Sequence, residues 1–239
     1  MTLQLFNADC LEQLKFLNFI NNNIPFTYAK YGDGEYLVSI NRTGQNCDNT
    51  PYTSKLSNAV IRSYKYLAPL RNSYLGKWDS DYKVYNFFEN LVIPIWADYS
   101  AFIFGNKNEF INKLPLLKAI QNATQQKIYI CNDTNFAVAP LFNIDKTVIV
   151  HPSNWFENDY DLILQQTRDS IINPDSIIIM TSAGMGAKPL LADLRKFYPN
   201  AILIDIGSGF DLFVYKKSRS YNMNLTKNEI DEFIALLHQ

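Results

Sequence analysis

Cysteine and histidine are scarce in this sequence of 239 residues, which holds three of the first (Cys10, Cys47, Cys131) and two of the second (His151, His238). The cysteines are widely spaced and odd in number, without the short paired spacing that a zinc site or redox dithiol needs, so a reducing compartment is expected. Two histidines and no Gly-x-Ser-x-Gly segment leave a three-histidine zinc site and a serine hydrolase without their residues. No window approaches eighteen uninterrupted apolar residues, and the N-terminal stretch lacks a basic segment followed by an apolar one. The expectation is therefore a cytoplasmic protein with no transmembrane segment. Charge of one sign is lacking too: 22 Lys and Arg against 23 Asp and Glu give a formal net charge of -1. That balance supplies no field to gather a polyanion, so nucleic acid is not an expected partner. Without a linker-like stretch or internal repeat, the length fits one domain over 1–239.

What is present is a core-forming composition, 47% hydrophobic and 19% charged. Cys10, Leu14, Leu17 and Ile20 recur at helical spacing and predict an opening amphipathic helix, ended by Asn21 to Asn23. Phe26 to Lys30 reads as the first strand, followed by a polar turn at Gly32 to Glu35. A helix follows from about Thr53 to Leu67 and a strand at Ser73 to Trp78, whereas Val84 to Asn106 is rich in aromatics and ambiguous. From Phe110 the alternation is regular: helix to Asn122, strand Lys127 to Cys131, helix Phe136 to Phe142, strand Thr147 to His151. It continues with helix Tyr160 to Ile171, strand Ser176 to Met180, helix Ala187 to Tyr198 and strand Ala201 to Ile206. Thr226 and Glu229 have capping-box spacing at the start of a last helix, Lys227 to Leu237. This order predicts an α/β, Rossmann-like, doubly wound fold with a mainly parallel sheet and helices on both faces.

In such sheets ligands bind beyond the carboxyl ends of the strands, so polar and glycine-rich segments that follow strands are the candidates for chemistry. Lys30-Tyr31-Gly32-Asp33-Gly34-Glu35 sets two carboxylates around one glycine. A hard divalent cation takes such oxygen ligands and bridges them to a substrate diphosphate; an ordinary Asp-Gly turn is the competing reading. Thr181 to Pro189, with Ser182, Gly184 and Gly186, joins a strand to a helix whose free N–H groups suit a phosphate, although tight packing also explains the small residues. Asp205-Ile206-Gly207-Ser208-Gly209 looks in isolation like the first motif of S-adenosylmethionine-dependent methyltransferases. It follows the last strand rather than the first, and the residues after it are basic and poorly helical. Asp205 or Asp211 then serves as a base or as a group behind a metal, or caps a turn. Lys216, Lys217 and Arg219 form a basic cluster suited to a diphosphate or to a solvated surface. His151 ends a strand, where it either touches ligand or is structural.

The strand into Tyr31-Gly32-Asp33-Gly34-Glu35 resembles the Ser-Arg-Phe-Gly-Asp-Gly-Glu signature of the GT-D fold glycosyltransferases, a group first described as a domain of unknown function. Lys30 replaces the common arginine, giving up bidentate phosphate contact, and Tyr31 replaces phenylalanine. The likeness extends loosely through Gly76-Lys77-Trp78, Asn132, Ala183-Gly184 and Asp205 to Ser208. It implies a nucleotide-sugar donor, often UDP-glucose, a glycan acceptor, and a divalent metal, Mn2+ or Mg2+, on Asp33 and Glu35. The expected donor contacts, from the residues and the resemblance together, are Lys30, Gly32, Gly34, Lys77, Ser182, Gly184, Gly186, Asp205, Ser208, Lys217 and Arg219. Asp33, Glu35 and, as general base, Asp211 are the catalytic candidates. The rival readings are a methyltransferase and a nucleotide- or glycan-binding module without catalysis.

Overall fold

The computed structural model of the chain describes residues 8–47, 49–104, 106–151, 153–216 and 224–239. Strands β1 (Thr27–Tyr31), β2 (Ser73–Lys77), β3 (Ile95–Asp98), β4 (Gln126–Cys131), β5 (Lys146–Ile149), β6 (Ile177–Ser182) and β7 (Ile202–Asp205) form one sheet. Their order is β3-β2-β1-β7-β6-β4-β5, and each of these neighbouring pairs is parallel. The chain winds outward from β1 to β3, crosses to β4 and β5 at the opposite edge, and returns through β6 to β7 beside β1. From β1 and from β6 the next strand lies toward the β3 edge, whereas from β4 it lies toward the other, so the winding reverses between β6 and β4, and a ligand crevice opens at such a point.

Parallel strands require crossovers, and the crossover helices bury both faces of the sheet. The helices are α1 (Ala8–Asn21), α2 (Asp33–Ser39), α3 (Ser54–Leu67), α4 (Tyr82–Glu89), α5 (Lys107–Asn122), α6 (Trp155–Asn158), α7 (Tyr160–Asp169), α8 (Ala187–Phe197) and α9 (Lys227–Leu237). On one face Ile128, Ile130, Ile177, Ile179 and Leu203 meet Val60 and Tyr64 of α3 and Leu190 and Leu194 of α8. On the other, Tyr129, Cys131, Ile178, Met180, Ile202 and Ile204 meet Phe16 of α1, Phe110 and Leu117 of α5 and Phe233 of α9. Successive residues of one strand thus alternate between two cores, which is why the strands read as near-continuous apolar runs.

The doubly wound expectation agrees with this architecture, and the departures are local. Gly32 to Glu35 is the entry to a helix rather than a turn. Residues 133–138 form a 3-10 turn instead of an α-helix, and Thr181 and Ser182 complete β6. In α1 the buried residues are Gln13, Phe16 and Ile20 while Leu14 is exposed, because the large Phe16 ring, packed on Phe26, Tyr28 and Phe102, sets the inward face. The side chain of Cys10 lies outside the described residues.

Candidate active site

A cavity of about 970 Å³ runs along the carboxyl ends of the strands. The strand ends and crossovers deliver its walls: Asp33 and Glu35 after β1, Trp78 after β2, Tyr99 after β3, Asn132 and Asn135 after β4, Ser182 at the end of β6 and Gly184 after it, and Ser208 and Asp211 after β7.

At its centre, α2 begins with a glycine at the N-cap, which has no side chain to satisfy the first amides. Glu35 compensates by reaching back, its Oε2 accepting the Gly32 N–H at 2.9 Å; this is the acidic half of a capping box. Glu35 Oε1 lies 2.7 Å from Lys188 Nζ, and Asp205 Oδ2 lies 3.0 Å from the same ammonium. The Gly184 carbonyl accepts a third bond from Lys188 at 3.3 Å, so all three ammonium hydrogens have acceptors. Glu35, Lys188 and Asp205 are all buried. Burial alone would pull the Lys188 pKa down; Asp205 and Glu35 outweigh it and hold the ammonium above the ordinary lysine range. One lysine thereby ties the start of α2, the end of β7 and the turn after β6 together. Asp33, by contrast, is exposed, and its Oδ1 accepts the Gly34 N–H at 2.9 Å.

Lys30 crosses beneath this cluster. Its backbone N–H donates to Asp205 Oδ2 at 3.2 Å and its Nζ to the Ile206 carbonyl at 2.9 Å. The glycines after β7 are explained by this packing. Gly207 has φ +58°, and a Cβ there would lie 2.3 Å from Lys30 Nζ. A Cβ on Gly209 would sit 2.0 Å from the Phe102 carbonyl oxygen. Gly209→Ala is therefore expected to cost roughly 1–3 kcal/mol through forced backbone shifts, read as a lowered urea midpoint with an unchanged slope; an unchanged midpoint would contradict this contact. These glycines make room for a lysine and a neighbouring backbone, and the segment leads into a 3-10 turn, Asp211–Val214, rather than a long helix.

Asp211 faces the cavity from that turn, buried, with Oδ1 accepting from Asn135 Nδ2 at 2.8 Å. Asn135 is held in turn by Asn132, whose side chain accepts the Asn135 backbone N–H at 3.0 Å. Tyr129 donates to Ser182 Oγ at 2.8 Å, and burial raises its pKa well beyond the ordinary tyrosine value. The result is a polar floor of fixed orientation.

The expected site residues therefore divide. Lys30, Asp33, Gly34, Glu35, Ser182, Gly184, Ser208 and Asp211 line one cavity. Gly32 stands behind it under the Tyr99 hydroxyl, and Asp205 lies below it, held by Lys188. Lys77 does not line it: its ammonium is 3.4 Å from Asp79 and stands over the Tyr85 ring. Gly186 does not line it either, since its missing Cβ makes room for Trp155, whose Cζ2 would be 2.5 Å away. His151 is exposed beyond β5, and neighbouring Val150 takes the place at the wall. Lys217 and Arg219 lie outside the described residues, while Lys216 is at the wall. Lys188, Asn135 and Tyr99 are not among the residues expected at the site from the sequence. Asn132 and Asn135 carried a readable signal, an amide cap directly after a strand. Among the described residues no group of three or more His, Cys, Asp or Glu side chains is placed to hold a metal by itself, and no helix is long and apolar enough to cross a membrane.

No family model matches the sequence, and no curated protein is recognisably similar to it. Solved structures are more informative. A selenomethionine-substituted structure of domain of unknown function 1792 (DUF1792) superposes with a TM-score of 0.63 at 18% identity, covering 93% of this chain and 87% of that one. A second, of the highly conserved domain of unknown function 1792 and described as having a distinct glycosyltransferase fold, gives 0.62 at 17%, covering 94% and 88%. The chain has a glycosyltransferase-like fold. At such identities the likeness speaks for the fold and leaves the chemistry to the site.

Proposed function

We propose that the chain is a glycosyltransferase of the GT-D kind, moving a sugar from a nucleotide-sugar donor, a UDP-sugar foremost, to a glycan acceptor with a divalent cation, Mn2+ or Mg2+. The observation that carries this reading is the charge of the wall. Lys30, Lys188 and Lys216 stand against Asp33, Glu35, Glu109, Asp211 and, just below, Asp205: three ammonium groups against five carboxylates among the described residues. Such a wall repels a bare diphosphate and accepts one that arrives with a dication.

The donor set suits that ion. Asp33 is exposed to the cavity, and each Glu35 oxygen keeps a lone pair beyond the bond it already accepts. Two carboxylates are too few for a full shell, so the donor's phosphates and water would complete it, as is usual for Mg2+ and similar ions. When bound, the ion would supply neutralisation of the diphosphate leaving group. The chain's own residues do the rest. The Ser182 to Gly184 backbone approaches the phosphates closely because it carries no bulky side chain. Lys216 shares their charge, and Asp211, oriented by Asn135, takes the proton of the attacking acceptor hydroxyl.

The test is UDP release from UDP-glucose and related donors, with Mn2+ and with chelator. Metal-dependent release is the expected result. S-adenosylmethionine binding without any UDP-sugar turnover would overturn the reading, and tight UDP-sugar binding without turnover would favour a binding module.

A further inference from the structure

The cavity has two chemically different halves. At the ends of β6 and β4 its wall carries Ser182, Gly184, Asn132 and Asn135, with Val150 and Met185 beside them and, among the described residues, no aromatic ring after either strand. Beyond β2 and β3 it is lined by Trp78 and Tyr99. These two rings are 4.7 Å apart between centroids and nearly perpendicular, at 75°, an edge-to-face pair that fixes both planes. Both are only partly buried, although large rings elsewhere in the fold, such as Tyr28, Tyr64 and Phe88, are fully buried. Gly32 is a glycine beneath this pair because a Cβ there would come within 2.6 Å of the Tyr99 hydroxyl oxygen, which sets the aromatic wall against the first turn of α2. Asn46, from the loop before α3, closes on the same turn, 3.1 Å from where a Gly34 Cβ would lie.

We infer that Trp78 and Tyr99 are the platform on which a pyranose ring of the acceptor sits, facing the donor across the Asp33–Glu35 turn; this rests on the glycosyltransferase reading. A pyranose shows a patch of C–H hydrogens on one face, which complements the electron-rich face of an indole. Its equatorial hydroxyls point outward from that patch, where Asn46 and Ser100 offer amide and hydroxyl partners. A nucleobase also stacks on aromatic rings, but its place is elsewhere. The glycine turn after β6 is three strands from β2, roughly 14 Å at the usual strand spacing, with the buried carboxylates of Glu35 and Asp205 between. A nucleotide with its phosphates at the glycine turn reaches Asn132 and Asn135 without crossing that barrier.

The experiment uses the whole protein and NMR of its indole N–H signals, with that of Trp78 assigned by its loss in Trp78→Phe. The probes are methyl pyranosides (glucoside, galactoside, N-acetylglucosaminide) and, separately, UMP. At least one pyranoside is expected to move the Trp78 signal while UMP leaves it in place. Trp78→Ala should weaken binding of that pyranoside at least tenfold and change the affinity for UDP with Mn2+ less than twofold. A Trp78 signal that moves with UMP and ignores every pyranoside overturns the proposal, as does equal pyranoside affinity in wild type and Trp78→Ala. Failure of UDP with Mn2+ to bind wild type would instead sink the glycosyltransferase reading, whatever the pyranosides do.

Discussion

Replacing Lys188 by methionine is expected to lower the melting temperature by about 10 °C, the largest stability effect of any single substitution in the site. Methionine keeps the stem of the side chain and removes the charge, so Glu35 and Asp205 stay buried without the ammonium they share. Removing one partner of a buried ion cluster costs about 3–5 kcal/mol, and a chain of this length loses roughly 2–4 °C per kcal/mol. The pH dependence carries a sign. The folded-state pKa of Lys188 is raised, through Asp205 and Glu35 against the opposing effect of burial. Its contribution is therefore complete below the ordinary lysine value and is lost only as pH climbs through the higher folded value. The gap between wild type and Lys188→Met should stay constant from about pH 7 to 10 and close in stronger alkali. Calorimetric melting across that range checks both statements. A shift below about 2 °C would mean that water, not Lys188, balances the two carboxylates.

Asp33→Asn is expected to act in the opposite way, sparing stability and removing turnover. Asp33 is exposed, and its bond to the Gly34 N–H uses an oxygen that asparagine retains. Exposed substitutions of this kind stay within about 0.5 kcal/mol. Catalysis, on the account above, needs the anionic oxygen to hold the cation against the donor's diphosphate. Loss of one such electrostatic contact lowers kcat by about 100- to 1000-fold. Metal-dependent UDP release measured beside a melting curve separates the two effects. Near-normal turnover with an unchanged melt would take Asp33 out of the mechanism.

The alternation of apolar strands and amphipathic helices from Phe110 onward made the doubly wound sheet legible, because a strand buried on both faces leaves an uninterrupted apolar run such as Ile177 to Met180. The short elements were not legible. Gly32-Asp33-Gly34-Glu35 has the composition of a turn. Its helical character comes from Glu35 reaching the Gly32 N–H and from contacts of a seven-residue helix too short to show a stripe. Between Val84 and Asn106 the aromatic residues mask period, and the strand there, Ile95–Asp98, is an edge strand of four residues.

The site divided similarly. Carboxylates and glycines after strands announce themselves by position, so the sequence alone points to Asp33, Glu35, Gly184 and Asp211, which line the cavity. Lys188 looks like any helical lysine, since its role depends on acceptors from residues 35, 184 and 205 that only the fold brings together. Gly186 and Gly209 are illegible for the complementary reason. Their glycines answer to Trp155 and to the Phe102 carbonyl, contacts with no sequence trace.

The acidic wall is expected to admit a diphosphate only together with a dication. Calorimetric titration of UDP into the protein with Mn2+, and again with chelator, tests it most directly. Binding should be at least tenfold tighter with the metal in wild type, and Asp33→Asn should erase that difference. Equal affinity with and without metal in the wild-type protein would contradict the account.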